Sequence, residues 1–208
     1  MSEDNILGVI LAGGKSKRMG RDKLFLRLNN KTLVEHTIDK VKKYLKHIII
    51  ITDKDDKIFS EQNLVTVKDC IEGNLGPLVG ILTAMKWAKE HLSNCSWVAS
   101  FPCDTPFFPE TIVQKFIEDS KQNQSLLLCA SSHGRKHNIF GLWSLTLYDK
   151  LYDDLTKNNI RKVQDWTEKH QIKNLEFDFK AYDPFFNINT PEDLKKATEL
   201  YTKLKNEQ

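Results

Sequence analysis

The chain has 208 residues and a mass of 24.1 kDa, with 40% hydrophobic and 28% charged residues. That balance excludes collagen, a long coiled coil and wholesale disorder, and a chain of this length buries roughly 70% of its surface without a staple. The net charge of +3 comes from 31 basic and 28 acidic residues, and scattered lysines dominate the basic set. This reads as a solvated surface and predicts no nucleic-acid partner.

In chain order, the apolar run Ile6–Ala12 ends in glycines, as a central strand does when it feeds a loop. Thr32–Leu45 has helical spacing, and its lysines Lys40, Lys42, Lys43 and Lys46 read as a solvated face. His47–Thr52 is a second strand, rich in β-branched isoleucine and covered on both faces. Val65–Val67 makes a brief third strand, and Pro77 opens a helix that runs to about His91. Ser96–Phe101 is a fourth strand stopped by Pro102, and a helix follows from Pro109 or Glu110 to about Ser120. Ser125–Cys129 is again a strand, and Asn138–Ser144 is another. Leu145–Leu155 and Lys162–His170 read as helices, and Leu175–Phe179 alternates like an edge strand. Thr190 caps a last helix, opened by Pro191 and running from Glu192 to about Lys205.

Strand and helix alternate with few hairpin signals, which predicts right-handed βαβ units on a mostly parallel sheet. The expectation is an α/β fold: one doubly wound domain over residues 1–208, with helices on both faces. The residues to about 105 are expected to serve one ligand, and those from about 106 another. Ligands in such sheets bind beyond the carboxyl ends of the strands.

Cys70, Cys95, Cys103 and Cys129 contain no C-x-x-C pair, and they read as reduced core thiols of a cytoplasmic protein. His133 and His137 flank Gly134 in a polar loop and make a weak metal pair. No apolar run approaches the roughly 18 residues of a membrane helix, so no membrane partner is expected.

The loop after the first strand holds Gly13 and Gly14, followed by Lys15, Lys17, Arg18, Arg21 and Lys23. Glycines after a buried strand let backbone N–H groups approach phosphate oxygens, and the cations add charge. The loop matches neither the Walker A pattern nor the G-x-G-x-x-G fingerprint. It is therefore a different triphosphate cradle or no cradle at all, and the glycine pair with this density of cations favours phosphate binding. Arg18 and Lys23 are cations suited to phosphate oxygens. Asp104 lies between Pro102 and Pro106, where a lone carboxylate suits Mg²⁺ or an Asx turn.

The segment Leu11-Ala-Gly-Gly-Lys-Ser-Lys-Arg-Met-Gly-Arg-Asp-Lys23 resembles the N-terminal signature of the nucleotidyltransferases, and among them the molybdenum cofactor guanylyltransferases of the MobA family. Gly76-Pro77-Leu78-Val79-Gly80, Pro102-Cys103-Asp104-Thr105-Pro106-Phe107 and Phe186-Asn187-Ile188-Asn189-Thr190-Pro191-Glu192-Asp193-Leu194 agree in the expected order. The resemblance implies catalytic roles for Arg18, Lys23 and Asp104. It implies nucleotide contacts at Leu11, Ala12, Gly13, Gly14, Lys23, Thr52, Asp69, Gly76, Pro77, Leu78, Gly80 and Asp104. Acceptor contacts would fall to His137, Asn187 and Asn189, with His137 meeting the acceptor's phosphate. The metal would be Mg²⁺ on Asp104 and Asn189. Asn187 and Asn189 are expected to alternate on a short strand, so only one faces the site. The other would bond backbone at the turn.

Two positions depart from the family pattern. Thr52 and Asp53 stand where relatives often place asparagine, and His137-Asn138 stands in place of His-Pro. The implied activity is transfer of GMP from GTP to a molybdenum-pterin, with pyrophosphate released. The implied partners are these two small molecules, with a transient contact to proteins that deliver or receive the cofactor. A cytidylyltransferase acting on the pterin or on a sugar or polyol phosphate is the alternative, although those relatives tend to carry Ala where Gly13 or Gly14 stands. A non-catalytic nucleotide-binding accessory protein is a third reading, less consistent with Arg18, Lys23 and Asp104 together.

Overall fold

The structure is a computed structural model that describes residues 5–13, 23–54, 57–73, 75–122, 125–179 and 182–206, with the backbone alone for Lys23. At its centre is a seven-stranded sheet in the order β5-β4-β1-β6-β8-β7-β9. The strands are β1 (Ile6–Leu11), β4 (His47–Ile51), β5 (Val65–Val67), β6 (Trp97–Pro102), β7 (Leu127–Ser132), β8 (Arg135–Ser144) and β9 (Lys173–Glu176). β8 runs antiparallel to both of its neighbours, β6 and β7, and the remaining pairings are parallel. This is the α/β sheet the alternation predicted, with one strand reversed.

The period of two along β1 sorts its side chains onto two cores. Ile6 and Ile10 join a cluster built with α1 (Leu33–Lys42) and α4 (Ile112–Gln122). Leu7 and Val9 face the other way, onto α3 (Pro77–His91), α5 (Tyr148–Thr156) and α6 (Val163–Lys169). Gly8 is needed for close packing: a Cβ there would lie 3.0 Å from Leu45 and 3.1 Å from Val41. α1 begins with a capping box, in which Thr32 accepts from the Glu35 amide and Glu35 accepts from the Thr32 amide.

Three features were not predicted. A two-stranded ribbon, β2 (Arg27–Leu28) with β3 (Lys31–Thr32), precedes α1, and a short helix, α2 (Lys57–Glu61), precedes β5. The ribbon shares a third small core with α7 (Pro191–Asn206), through Leu28, Leu33, Ile188 and Ala197. The third feature is a tight β7–β8 hairpin. Its turn is His133-Gly134, both at positive φ (50° and 72°), which matches the twist of the flanking strands. The sequence reading placed this turn in a loop, and so began β8 three residues late.

The run 186–189 is not a strand, contrary to expectation. It packs against the segment just past β6 instead of pairing along an edge, and the Ile188 amide donates to the Asp104 carbonyl at 2.8 Å. Among the described residues, no helix is long and apolar enough to cross a membrane.

Candidate active site

β1 sits between β4 and β6, where the strand order reverses, and a cavity of about 580 Å³ opens beyond their carboxyl ends. Leu11, Ala12 and Gly13 form its floor as β1 runs out. Among the described residues, a Cβ on Gly13 would meet nothing within 4 Å. Gly14 and Arg18 lie outside the described residues, as does the side chain of Lys23.

The wall on the β4 side is built from Asp69, Gly76, Pro77 and Gly80. Gly76 precedes α3 with φ 85° and ψ −176°, a conformation close to glycine-only. A Cβ on Gly80 would lie 2.7 Å from Leu11 Cδ2, so this first turn of α3 rests directly on the floor. Asp69 is solvent-accessible at the rim. Partial burial, reinforced by the nearby Asp53 charge, pushes its carboxyl above the usual value. Leu78 and Thr52 do not line the cavity. Leu78 is buried in the α3 core, and the buried Thr52 hydroxyl accepts from the Lys54 amide at 3.2 Å.

Asp104 stands just past the end of β6 and faces the cavity with Asn187. Thr105, which is fully buried, joins them: its hydroxyl donates to Asn187 Oδ1 at 2.5 Å and lies 3.3 Å from Asp104 Oδ1. Thus one hydroxyl donates to Asn187 and lies beside Asp104, side chains from segments more than eighty residues apart. Asn189 is placed differently. It does not line the cavity, and its amide donates to Asp193 Oδ2 at 3.0 Å in the cap of α7. The structure therefore brings Asn187 to Asp104 and sets Asn189 at the helix start.

The fourth wall is β8, where Arg135, Lys136, His137, Asn138, Ile139 and Phe140 all line the cavity. They do so because of an irregularity in the ladder: Cys129 pairs with Gly141, yet Ala130 pairs with His137, so residues 138–140 bulge out. Ser100 anchors the bulge by donating to the Ile139 carbonyl at 2.5 Å and accepting from Trp143 Nε1 at 2.8 Å. Sequence reasoning found His137 here but missed Arg135, Lys136 and Thr105. The His133-Gly134 turn was the available signal for the two cations, since it projects them from a hairpin tip. No local signal marks Thr105, whose role depends on a partner distant in the chain.

Among the described residues no three His, Cys, Asp or Glu side chains gather to hold a metal. One carboxylate beside an amide suits Mg²⁺, which completes its shell with phosphate oxygens and water. The donor set thus fits a magnesium ion that arrives with a nucleotide.

The pattern of the MobA-like NTP transferase domain matches residues 8–172. A molybdenum cofactor guanylyltransferase from Mesorhizobium japonicum is 35% identical over 200 residues, covering 94% of this chain and 96% of that protein. Another from Nitrobacter hamburgensis is 34% identical, covering 93% of each. Among solved structures, molybdopterin-guanine dinucleotide biosynthesis protein A from Archaeoglobus fulgidus has a TM-score of 0.74 and covers 95% of this chain and 99% of that one. At 21% identity that likeness establishes the fold alone. With the cavity at the reversal of strand order and the matching sequence pattern in hand, the chain belongs to the MobA-like nucleotidyltransferase family.

Proposed function

We propose that the protein transfers GMP from GTP to the terminal phosphate of a molybdenum-pterin, releasing pyrophosphate. The observation that carries this reading is one cavity lined together by Gly76, Pro77 and Gly80, by Asp104, and by Arg135 and Lys136 of the hairpin. Similarity to guanylyltransferases over more than nine-tenths of the chain supports the choice of nucleotide and acceptor.

The residues to about 105 bind GTP, and those from about 106 bind the acceptor. Gly13, Gly14 and the first strand's end carry the phosphates by backbone N–H groups, with Arg18 and Lys23 holding the departing pyrophosphate. The base lies between Gly76-Pro77, Gly80 and Asp69, whose carboxylate accepts from purine N–H groups. Arg135 and Lys136 draw in the acceptor's phosphate. That phosphate is ionised at neutral pH, so the reaction needs no general base, and positioning and charge neutralisation do most of the work. Mg²⁺, when bound, neutralises phosphate charge, and Asp104 with Asn187 beside it would hold it. Thr105 fixes these two side chains toward one point. The protein works in the cytoplasm. Because the acceptor is prone to oxidation, direct handover from and to partner proteins suits it.

The test is pyrophosphate release from GTP and from CTP in the presence of Mg²⁺ and the molybdenum-pterin. Release from GTP, abolished in Asp104→Ala while the unfolding midpoint holds, is the expected result. Preference for CTP would move the protein to cytidylyl transfer, and binding without release would make it an accessory protein. Substantial Mg²⁺-dependent turnover in Asp104→Ala would remove Asp104 from the centre.

A further inference from the structure

On the acceptor side of the cavity, Ser132 stands between His137 and Asp183. Its hydroxyl lies 2.8 Å from His137 Nε2 and 3.2 Å from Asp183 Oδ1. A hydroxyl has one proton to give, and a carboxylate only accepts. Asp183 Oδ1 also accepts the Phe185 amide at 2.9 Å, so Ser132 gives its proton to Asp183. The remaining contact then has one polarity: Nε2–H donates to Ser132 Oγ. Ser132 is only 1% exposed, so water does not compete for this proton.

The ring is fixed in a second direction. Phe185 stacks on it with centroids 4.3 Å apart and planes 20° from parallel, and Phe185 is itself set against Phe140 and Phe177. With one face covered and Nε2 engaged, the polar atom left is Nδ1, which has no partner among the described residues. His137 lines the cavity, so a cavity ligand is the partner available to that atom.

Resting on the guanylyl-transfer reading, we infer that His137 selects the acceptor as a neutral imidazole. Ser132 and Asp183 lock it as the Nε2–H tautomer, and Nδ1 presents a lone pair that accepts from an N–H or O–H of the acceptor's fused ring. The phosphate then belongs to Arg135 and Lys136, and His137 recognises the ring. A proton on Nδ1 would reverse its role from acceptor to donor. Burial of the ring opposes that proton most strongly; Asp183 and Glu176 favour it and Arg135 opposes it, and the balance leaves the pKa below the ordinary 6.5. Ser131, which donates to Glu176 at 2.5 Å, keeps that carboxylate engaged on the neighbouring strand.

Two measurements on the full chain test this. Long-range ¹⁵N–¹H spectra of the histidine-labelled protein at neutral pH, without substrate, should show His137 neutral with its proton on Nε2. In Ser132→Ala the same signal should move toward a mixture of tautomers. A proton on Nδ1, or an imidazolium, overturns the lock. In kinetics, His137→Phe keeps the stacked ring and removes the acceptor atom. It should raise the acceptor's KM about tenfold or more, as a lost hydrogen bond to a substrate group does. KM for GTP and kcat should stay within about twofold by the same arithmetic, and His137→Asn, which restores a carbonyl acceptor, should recover part of the loss. An unchanged acceptor KM in His137→Phe, or equal rises for both substrates, overturns the selecting role. If the wild type releases no pyrophosphate from GTP with this acceptor, the guanylyl reading falls, and the spectra still decide the tautomer.

Discussion

Gly80 is a glycine because Leu11 lies against it. A Cβ at position 80 would approach Leu11 Cδ2 to 2.7 Å, Ile51 to 3.5 Å and Asp69 Oδ1 to 3.8 Å. The closest of these is the mobile end of a side chain at the cavity floor, so the strain falls on the ligand site and spares the core. Gly80→Ala is therefore expected to keep stability within about 1 kcal/mol, yet weaken GTP binding about tenfold as Leu11 is pushed into the base's space. Calorimetric titration with GTP beside an unfolding curve checks both halves. A fall in stability with affinity intact would place the cost in the core instead. Gly141 differs: its Cβ would meet the Leu128 carbonyl at 3.0 Å and Trp143 Nε1 at 2.9 Å, so backbone itself would have to move. The sequence motif made Gly80 legible as a site residue, whereas nothing near Gly141 announced it. Its need comes from β8 lying between two other strands.

At the scale of elements, α5 and α6 are tied together by one buried carboxylate. Asp154, 3% exposed, accepts from Lys169 at 2.6 Å, His170 Nε2 at 2.9 Å and Asn158 at 2.7 Å. Burial alone would raise its pKa, but the three hydrogen bonds outweigh it and hold the carboxyl at about 2, below the ordinary 3.8. A depressed carboxyl stabilises the fold fully above its unfolded pKa and loses that contribution as pH falls through its folded value. The window is thus from 3.8 down to about 2, and the amount is about 2 kcal/mol. Asp154→Asn should lose about 2–3 kcal/mol at pH 7, because Lys169 and His170 are left without their anion. In denaturant unfolding, its gap from the wild type should close toward pH 2. A gap independent of pH would show that packing, not charge, holds the two helices. The chain order of α5 and α6 was readable from periodicity, but this tie was not: the aspartate on one helix reads as one more solvated charge until its partners are placed beside it.

For the whole molecule, the cavity joins the two halves of the chain, since its walls come from β1, α3, the end of β6, β8 and the 186–189 run. A nucleotide bound there stabilises the native state alone, by about 2.7 kcal/mol at a hundred times its Kd. For a chain of this size each kcal/mol moves the midpoint by roughly 2–4 °C. GTP with Mg²⁺ should therefore raise the unfolding temperature by about 5–10 °C, and CTP at equal concentration by much less. Equal shifts from all four nucleoside triphosphates would mean that the cavity reads phosphates and not the base.

The sequence by itself determined the parallel half of the sheet, the helices between its strands, the placement of Asp69 and Asp104 just past strand ends and of Gly76 and Gly80 at a helix start, and the family. All of these rest on local signals: apolar runs of strand length, proline at a helix start, glycines after a buried strand. Only the tertiary structure decided which groups meet. It reversed β8 through a two-residue turn and bulged residues 138–140 into the cavity. It also chose Asn187 over Asn189 for the place beside Asp104, by laying 186–189 against the segment just past β6. The hydrogen bonds that join Thr105 to Asn187 and Ser132 to Asp183 each close a large loop of chain. Such contacts leave no periodicity to read, because their geometry is set by the sheet that carries both partners and not by the residues beside them.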